Sequence, residues 1–145
     1  MSLSNTFETA LLNLIFGNVN AANIGDATGL RGSSSAGTFY ISLHTADPGE
    51  AGSQSSSEAT YTDYARVAVA RGSGFSVSGN TVSNTASIGF PSVGAGSGTI
   101  THFGIGTDAS GAGTLLMSGP LNTSLAFSVG STPTFAAGAM VVTAD

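Results

Sequence analysis

The sequence predicts an all-β domain, an antiparallel sandwich or barrel of jelly-roll type, with one short helix at its N-terminus. Three observations carry that prediction. Apolar and polar residues alternate in roughly seven to nine short runs, about ten residues apart and separated by Gly-rich turns, which is the pattern of antiparallel sheets. Gly, Ser and Thr number 21, 22 and 17, together 60 of the 145 residues, and this is turn and strand chemistry rather than helix chemistry. A helical period occurs only once, and neither a βαβ rhythm nor a repeat of fixed length follows it. At this length one core is the expectation, so residues 1–145 read as a single β-rich domain.

The helix opens the chain. Asn5 can cap it, and Glu8 three residues on can reach back to complete a capping box. Phe7, Leu11, Leu14 and Ile15 then fall at i, i+4, i+7 and i+8 on one face, and Gly17 offers a left-handed stop. Leu12 and Phe16 widen the apolar surface beyond that stripe. Residues 1–17 therefore read as a helical arm that either closes one end of the domain or docks on a neighbour. Residues 18–37, rich in Asn, Gly, Ala and Ser and without a period, read as a long loop.

The strands follow in order. Phe39, Ile41 and Leu43 alternate with Tyr40, Ser42 and His44, and the ADPG sequence at 46–49 supplies turn chemistry, which EAGSQSSSE at 50–58 continues as a polar loop. YARVAVAR at 64–71 is a second strand with small residues on both faces. Phe75 to Val77 and Thr81 to Ser83 flank Ser-Gly-Asn, a hairpin signal. Ile88 and Phe90 form a short strand before Pro91. TITHFGIG places Thr101, Phe103 and Ile105 opposite Ile100 and His102 and ends at the DASGAG turn. Short strands are expected again at 114–117, 121–129 and 139–143.

Charge excludes several classes of function. Lys is absent, Arg31, Arg66 and Arg71 are the only basic residues apart from histidine, and the net charge is −5, so a phosphate backbone finds no cationic surface and nucleic acid is not an expected partner. Without Cys there is no disulfide, thiolate metal site or Cys nucleophile. The start of the chain lacks a basic region, and its longest apolar run, Ala10 to Phe16, is broken by Asn13, so neither a signal peptide nor a membrane span is expected. Only 8% of residues are charged against about 25% in a typical soluble protein, which suits a subunit packed in an assembly or a low-charge domain.

Chemistry-bearing groups are few. His44 and His102 could meet across a sheet near Asp47 or Asp108, and two His with a carboxylate can hold zinc or iron, but no HExxH or HxH spacing supports it. The simpler expectation is that His44 caps the ADPG turn and His102 is a partly buried strand residue. The serines lack a GxSxG elbow. VGAGSG at 93–98 has no Lys to complete a phosphate loop, and DASGAG offers one carboxylate where calcium loops need several. No catalytic, cofactor or metal residue is assigned. Arg66 and Arg71 suit bidentate pairing with Glu58, Asp63 or a carboxylate of a neighbouring subunit. Tyr40, Tyr61 and Tyr64 form either packing residues or an aromatic surface for a sugar.

The run FYISLHTADPGEAGSQSSSEATYTDYARVAVAR at 39–71, the FSVSGNTVSN segment, the ITHFGIGTDASGAGTLLMSGPL stretch and the acidic end together resemble a family of small virion proteins of tailed bacteriophages. Its members are variously labelled tail fibre, head decoration or structural proteins, and the likeness covers about residues 37–145. The resemblance implies a non-enzymatic β-rich subunit, made in the host cytoplasm, and it carries over no catalytic or binding residues. The first expectation is a decoration, or cement, protein on the capsid exterior, bound to the major capsid protein and to copies of itself as a trimer, without nucleic acid, membrane or cofactor. The alternative is a tail or tail-fibre component that contacts the host, with Tyr40, Tyr61 and Tyr64 as surface-binding candidates. The assembly candidates are Phe7, Leu11, Leu12, Phe16, Arg31, Arg66 and Arg71.

Overall fold

Short alternating segments and glycine turns give short strands, and the computed structural model, which describes residues 3–22 and 32–144, bears this out. One helix, α1 (Asn5–Gly17), precedes nine strands: β1 (Thr38–His44), β2 (Val67–Ala70), β3 (Phe75–Ser78), β4 (Thr81–Asn84), β5 (Ile88–Gly89), β6 (Gly98–Gly106), β7 (Leu115–Phe127), β8 (Thr134–Phe135) and β9 (Val141–Thr143). The pairs β1–β6, β6–β7, β3–β4 and β4–β9 are antiparallel, so the fold is all-β with a single helix, as the sequence predicts. The strands form sheets of order β2-β1-β6-β7, β3-β4-β9 and β5-β8. Contacts group the chain into two compact units: Met1–Thr38, Ala70–Ser87 and Phe135–Asp145 make unit 1, and Phe39–Val69 with Ile88–Thr134 make unit 2.

Unit 1 is built on α1 and the β3-β4-β9 sheet. Ser4, not Asn5, caps the helix: its backbone is extended, its carbonyl accepts from Phe7 N and Glu8 N, and its Oγ lies 3.4 Å from Phe7 N. Glu8 is thereby one position too far along for a capping box. At the other end Asn18, at φ 58°, takes the left-handed conformation expected of Gly17. The stripe that packs on β3 and β4 is likewise displaced by one residue. Leu12 and Phe16 are fully buried, with the Phe16 ring edge-on to Phe75 at 5.1 Å, while Phe7, Leu11, Leu14 and Ile15 are only half-buried. The β3–β4 hairpin turns through Gly79 at φ 59°, the first central position of a II′ turn, as the Ser-Gly-Asn signal indicates. Buried Asn84 joins the last segment to the sheet, donating to the carbonyls of Ala86 (2.7 Å) and Ala136 (2.8 Å) while its Oδ1 accepts from Met140 N (2.9 Å).

In unit 2, β1 and β6 run through the middle of the four-stranded sheet with Ile41, Leu43, Phe103 and Ile105 buried on one face. Tyr61, Ile88, Phe90, Val93, Ile100 and Phe127 are also buried in this unit. The opposite face carries Ser42, His44, Gly104 and Gly106, and is also closed to water, because the stretch expected as a turn at 46–49 and a polar loop at 50–58 folds over it and buries Gln54 completely. The glycines make this possible: a Cβ on Gly104 would lie 2.6 Å from both His44 Nε2 and Ser42 Oγ, and one on Gly106 would strike the Gln54 side chain. Two strand expectations change. β2 begins at Val67 rather than Tyr64, because Tyr64 and Arg66 turn inward to polar partners. The strands expected at 114–117 and 121–129 are one 13-residue strand, β7, in which Pro120 is tolerated because an edge strand need not donate outward. Its register against β6 shifts between His102–Pro120 and Ile100–Leu125, leaving residues 121–124 opposite Thr101 as a bulge.

Candidate functional site

The densest set of functional groups lies in unit 2, where β1 delivers Ser42 and His44, the 53–58 segment delivers Gln54 and Glu58, and the approach to β2 delivers Tyr64 and Arg66. Arg66 meets Glu58 at two points, Nε–Oε1 at 2.7 Å and Nη2–Oε2 at 2.8 Å. Its remaining donors reach the carbonyls of Asp108 (2.8 Å) and Gly111 (2.6 Å), so the guanidinium ties the turn after β6 to the turn before β2. Tyr64 Oη donates to Glu58 Oε1 (2.9 Å) and accepts from Leu43 N (3.0 Å), and burial raises its pKa. Gln54 accepts from Asp108 N at 2.9 Å and its own N donates to Ala112 O at 2.8 Å.

His44 is fully buried beside this network. Its Nδ1 lies 2.8 Å from Ser56 O, which can only accept, so Nδ1 carries the proton and Nε2 accepts from Ser42 Oγ at 2.8 Å. Burial pulls its pKa below 6.5, against opposing contributions from the Ser56 carbonyl and Glu58. The ring is not a cap on the ADPG turn, which closes itself through Asp47 Oδ1 and Gly49 N at 2.9 Å. His102 faces His44 in register and meets Thr101 Oγ1 at 2.9 Å. Among the described residues no group of three or more His, Cys, Asp or Glu side chains is placed to hold a metal ion. Chemically the arrangement is positional: both His44 nitrogens and both Glu58 oxygens are engaged in holding segments together.

The assembly candidates take several roles. Leu12 and Phe16 are core residues of unit 1 and not a docking surface, because the stripe they occupy is the one that packs on the hairpin. Phe7 and Leu11 keep part of their surface. Arg71 donates from Nε and Nη2 to the carbonyls of Ile15 and Leu14 and from Nη1 to Ser33 Oγ at 3.2 Å, capping α1 from within unit 1. Arg66 is engaged within unit 2, so it offers nothing to a carboxylate of a neighbour. Arg31 lies outside the described residues. Of the long loop, both described ends are tied together, Asn18 exchanging bonds of 2.9 and 2.7 Å with Ser33.

The three tyrosines do not form one aromatic surface. Tyr61 is 5% exposed, donates to Pro91 O at 3.0 Å and packs between Tyr64 and Phe127, and Tyr64 stacks on Phe90. Tyr40 is half-buried on β1. Tyr61 and Phe127 underlie a shallow cavity of about 260 Å³ rimmed by Thr60, Thr62 and Ser97, but they present little ring surface to it. Sequence reasoning passed over Gln54 and Asn84, whose isolated polar side chains carry no sequence signal. It also passed over Gly104 and Gly106, where alternating glycines inside a strand do mark a close approach. No helix among the described residues is long and apolar enough to cross a membrane.

Two comparisons with known proteins bear on the chain. A family model described as Podophage GP4 fiber I protein gp80 matches residues 2–143. The search of curated proteins finds no match.

Proposed function

The chain belongs to the family described as Podophage GP4 fiber I protein gp80, a family of phage virion structural proteins, and from that premise we propose that it is a fibre subunit of a podophage virion. The observation that carries the proposal is the extent of the match, which takes in nearly the whole chain and both compact units. The family description favours the fibre over the capsid-decoration reading that ranked first on sequence. The chemistry of unit 2 is in keeping with a structural subunit, since its buried His, Glu, Tyr and Arg are directed at backbone carbonyls and at one another. In this reading the protein acts by repetition: copies associate with one another and with a tail component, and many weak contacts add up to a stable appendage.

Cryo-electron microscopy of particles containing this protein tests the proposal. Density for the β1-β6-β7 sheet in appendages at the tail, in a few copies per fibre, is the expected result. Hundreds of copies distributed over the capsid shell would overturn it and restore the decoration reading.

A further inference from the structure

A β-bulge sets two residues of one strand against one of its neighbour and re-aims the extra side chain. Near the start of β7 the register steps from Gly106–Leu115 to Ile105–Met117, so Leu116 is the extra residue, and it stands 40% exposed on the strand that ends its sheet. Leu115 and Met117 beside it are half-buried. A groove of about 280 Å³ runs between residues 115–118 and the turn that holds Gly49, Glu50 and Gly52.

The turn is fixed by its own bonds. Gly49, at φ 74°, receives Asp47 Oδ1 on its N–H at 2.9 Å, and Gly52 N donates to Gly49 O at 3.0 Å. A Cβ on Gly52 would lie 2.1 Å from Pro48 O, so this wall is closely folded backbone and Glu50 is the one charged side chain that lines the groove.

Nothing in unit 2 neutralises that carboxylate. Among the described residues the Arg66–Glu58 contact is the only ion pair, and the rest of the Arg66 guanidinium is directed at the carbonyls of Asp108 and Gly111. Asp47, Glu50, Asp63 and Asp108 are all exposed, and unit 2 has no second Arg or Lys to set against them. The surface around the groove is therefore of one sign, which attracts cations and repels carboxylates.

We propose that this groove docks an extended segment of another protein in which one Arg or Lys lies between large apolar side chains. The cation meets Glu50, and its aliphatic stem, with the flanking apolar residue, covers Leu116 and the exposed edge of Met117. Charge selects this occupant. An acidic or neutral segment leaves Glu50 to be stripped of water without a partner, whereas a basic one compensates that loss. The chain itself is poorly equipped to be the donor: it has no Lys, Arg66 is spent inside unit 2, and Arg71 is spent on the carbonyls of Ile15 and Leu14.

The inference goes beyond the fibre reading and does not rest on it, since its test uses the full-length chain in solution rather than the particle. The probe is the capped peptide Ac-Ser-Leu-Arg-Leu-Ser-NH2, titrated against the isotopically labelled chain while amide chemical shifts are followed by NMR. Shifts should centre on Glu50, Gly52 and residues 115–118. The same peptide with Glu in place of Arg, or with Ser in place of both Leu, should bind several-fold more weakly. Glu50→Gln should weaken binding of the Arg peptide by about threefold or more, and Leu116→Ser by about tenfold. Salt at about 0.5 M should reproduce the Glu50→Gln loss in the parent and add little to it in the variant. Both substituted side chains are exposed, so amide shifts away from the groove should match the parent and separate a lost site from a lost fold. Equal binding of the Glu peptide would open the groove to any apolar segment, a second copy of the chain included, and would overturn the proposal. Undiminished binding to Glu50→Gln, shifts centred elsewhere, or no shifts at all would overturn it as well.

Discussion

Arg66 and Glu58 form a two-point ion pair inside unit 2, with side-chain exposures of 2% and 14%, and the same guanidinium holds the carbonyls of Asp108 and Gly111. A buried pair of this kind is worth little against an apolar replacement but costs heavily when only one member is removed, because the survivor is left charged in a dry site. Glu58→Ala should therefore lower the unfolding free energy by about 3–5 kcal/mol, measured by urea denaturation. Glu58→Ala combined with Arg66→Met should recover a substantial part of that loss. Equal losses for the single and the double variant would show that the pair does not act as a unit.

The pH dependence follows from His44. Burial lowers its pKa below the ordinary value of 6.5, so above pH 6.5 both folded and unfolded chains carry it neutral and it adds no slope. Below pH 6.5 the unfolded chain binds a proton that the folded chain refuses, and stability falls with pH until the lower folded pKa is reached, by up to about 1.4 kcal/mol per pH unit. His44→Gln should flatten the stability profile across that window. An unchanged slope in the variant would remove His44 as its source.

Gly106 is required by Gln54. A methyl group at 106 would land on the Gln54 side chain, which is fully buried and bonded to the Asp108 turn. Gly106→Ala should cost about 1–3 kcal/mol in thermal or urea unfolding. Gly106→Ala made together with Gln54→Ala should cost less than the two single changes added, since the smaller residue vacates the space; strict additivity would count against the steric account.

Asn84 stands to the 136–140 segment as Arg66 stands to the 108–111 turn. Asn84→Ala removes three bonds and leaves Met140 N without its acceptor, a loss of about 1–3 kcal/mol. Hydrogen exchange at the Met140 amide should accelerate in the variant, and an unaltered rate there would show that the bond contributes nothing to order in that segment.

The sequence alone determined the class of fold and the sites of its turns. Period-two alternation in Phe39–His44 and Phe103–Ile105, the Ser-Gly-Asn hairpin and the Asp47–Gly49 turn are local properties, fixed by side-chain direction and by which residues tolerate a given φ. The helix was also evident, but its inward face was not, because Phe7, Leu11, Leu12 and Phe16 are all apolar and only the packing of Phe16 on Phe75 selects one stripe. The two compact units escaped sequence reading for a related reason: the chain crosses between them four times, so no linker composition marks a boundary. Tertiary structure alone decided which polar residues go inside. Arg66 with Glu58, His44 with Ser56, and Gln54 with Asp108 join positions 8, 12 and 54 residues apart. A buried polar group is tolerated only when such a partner arrives, and where the partner arrives is a property of the whole fold rather than of any segment.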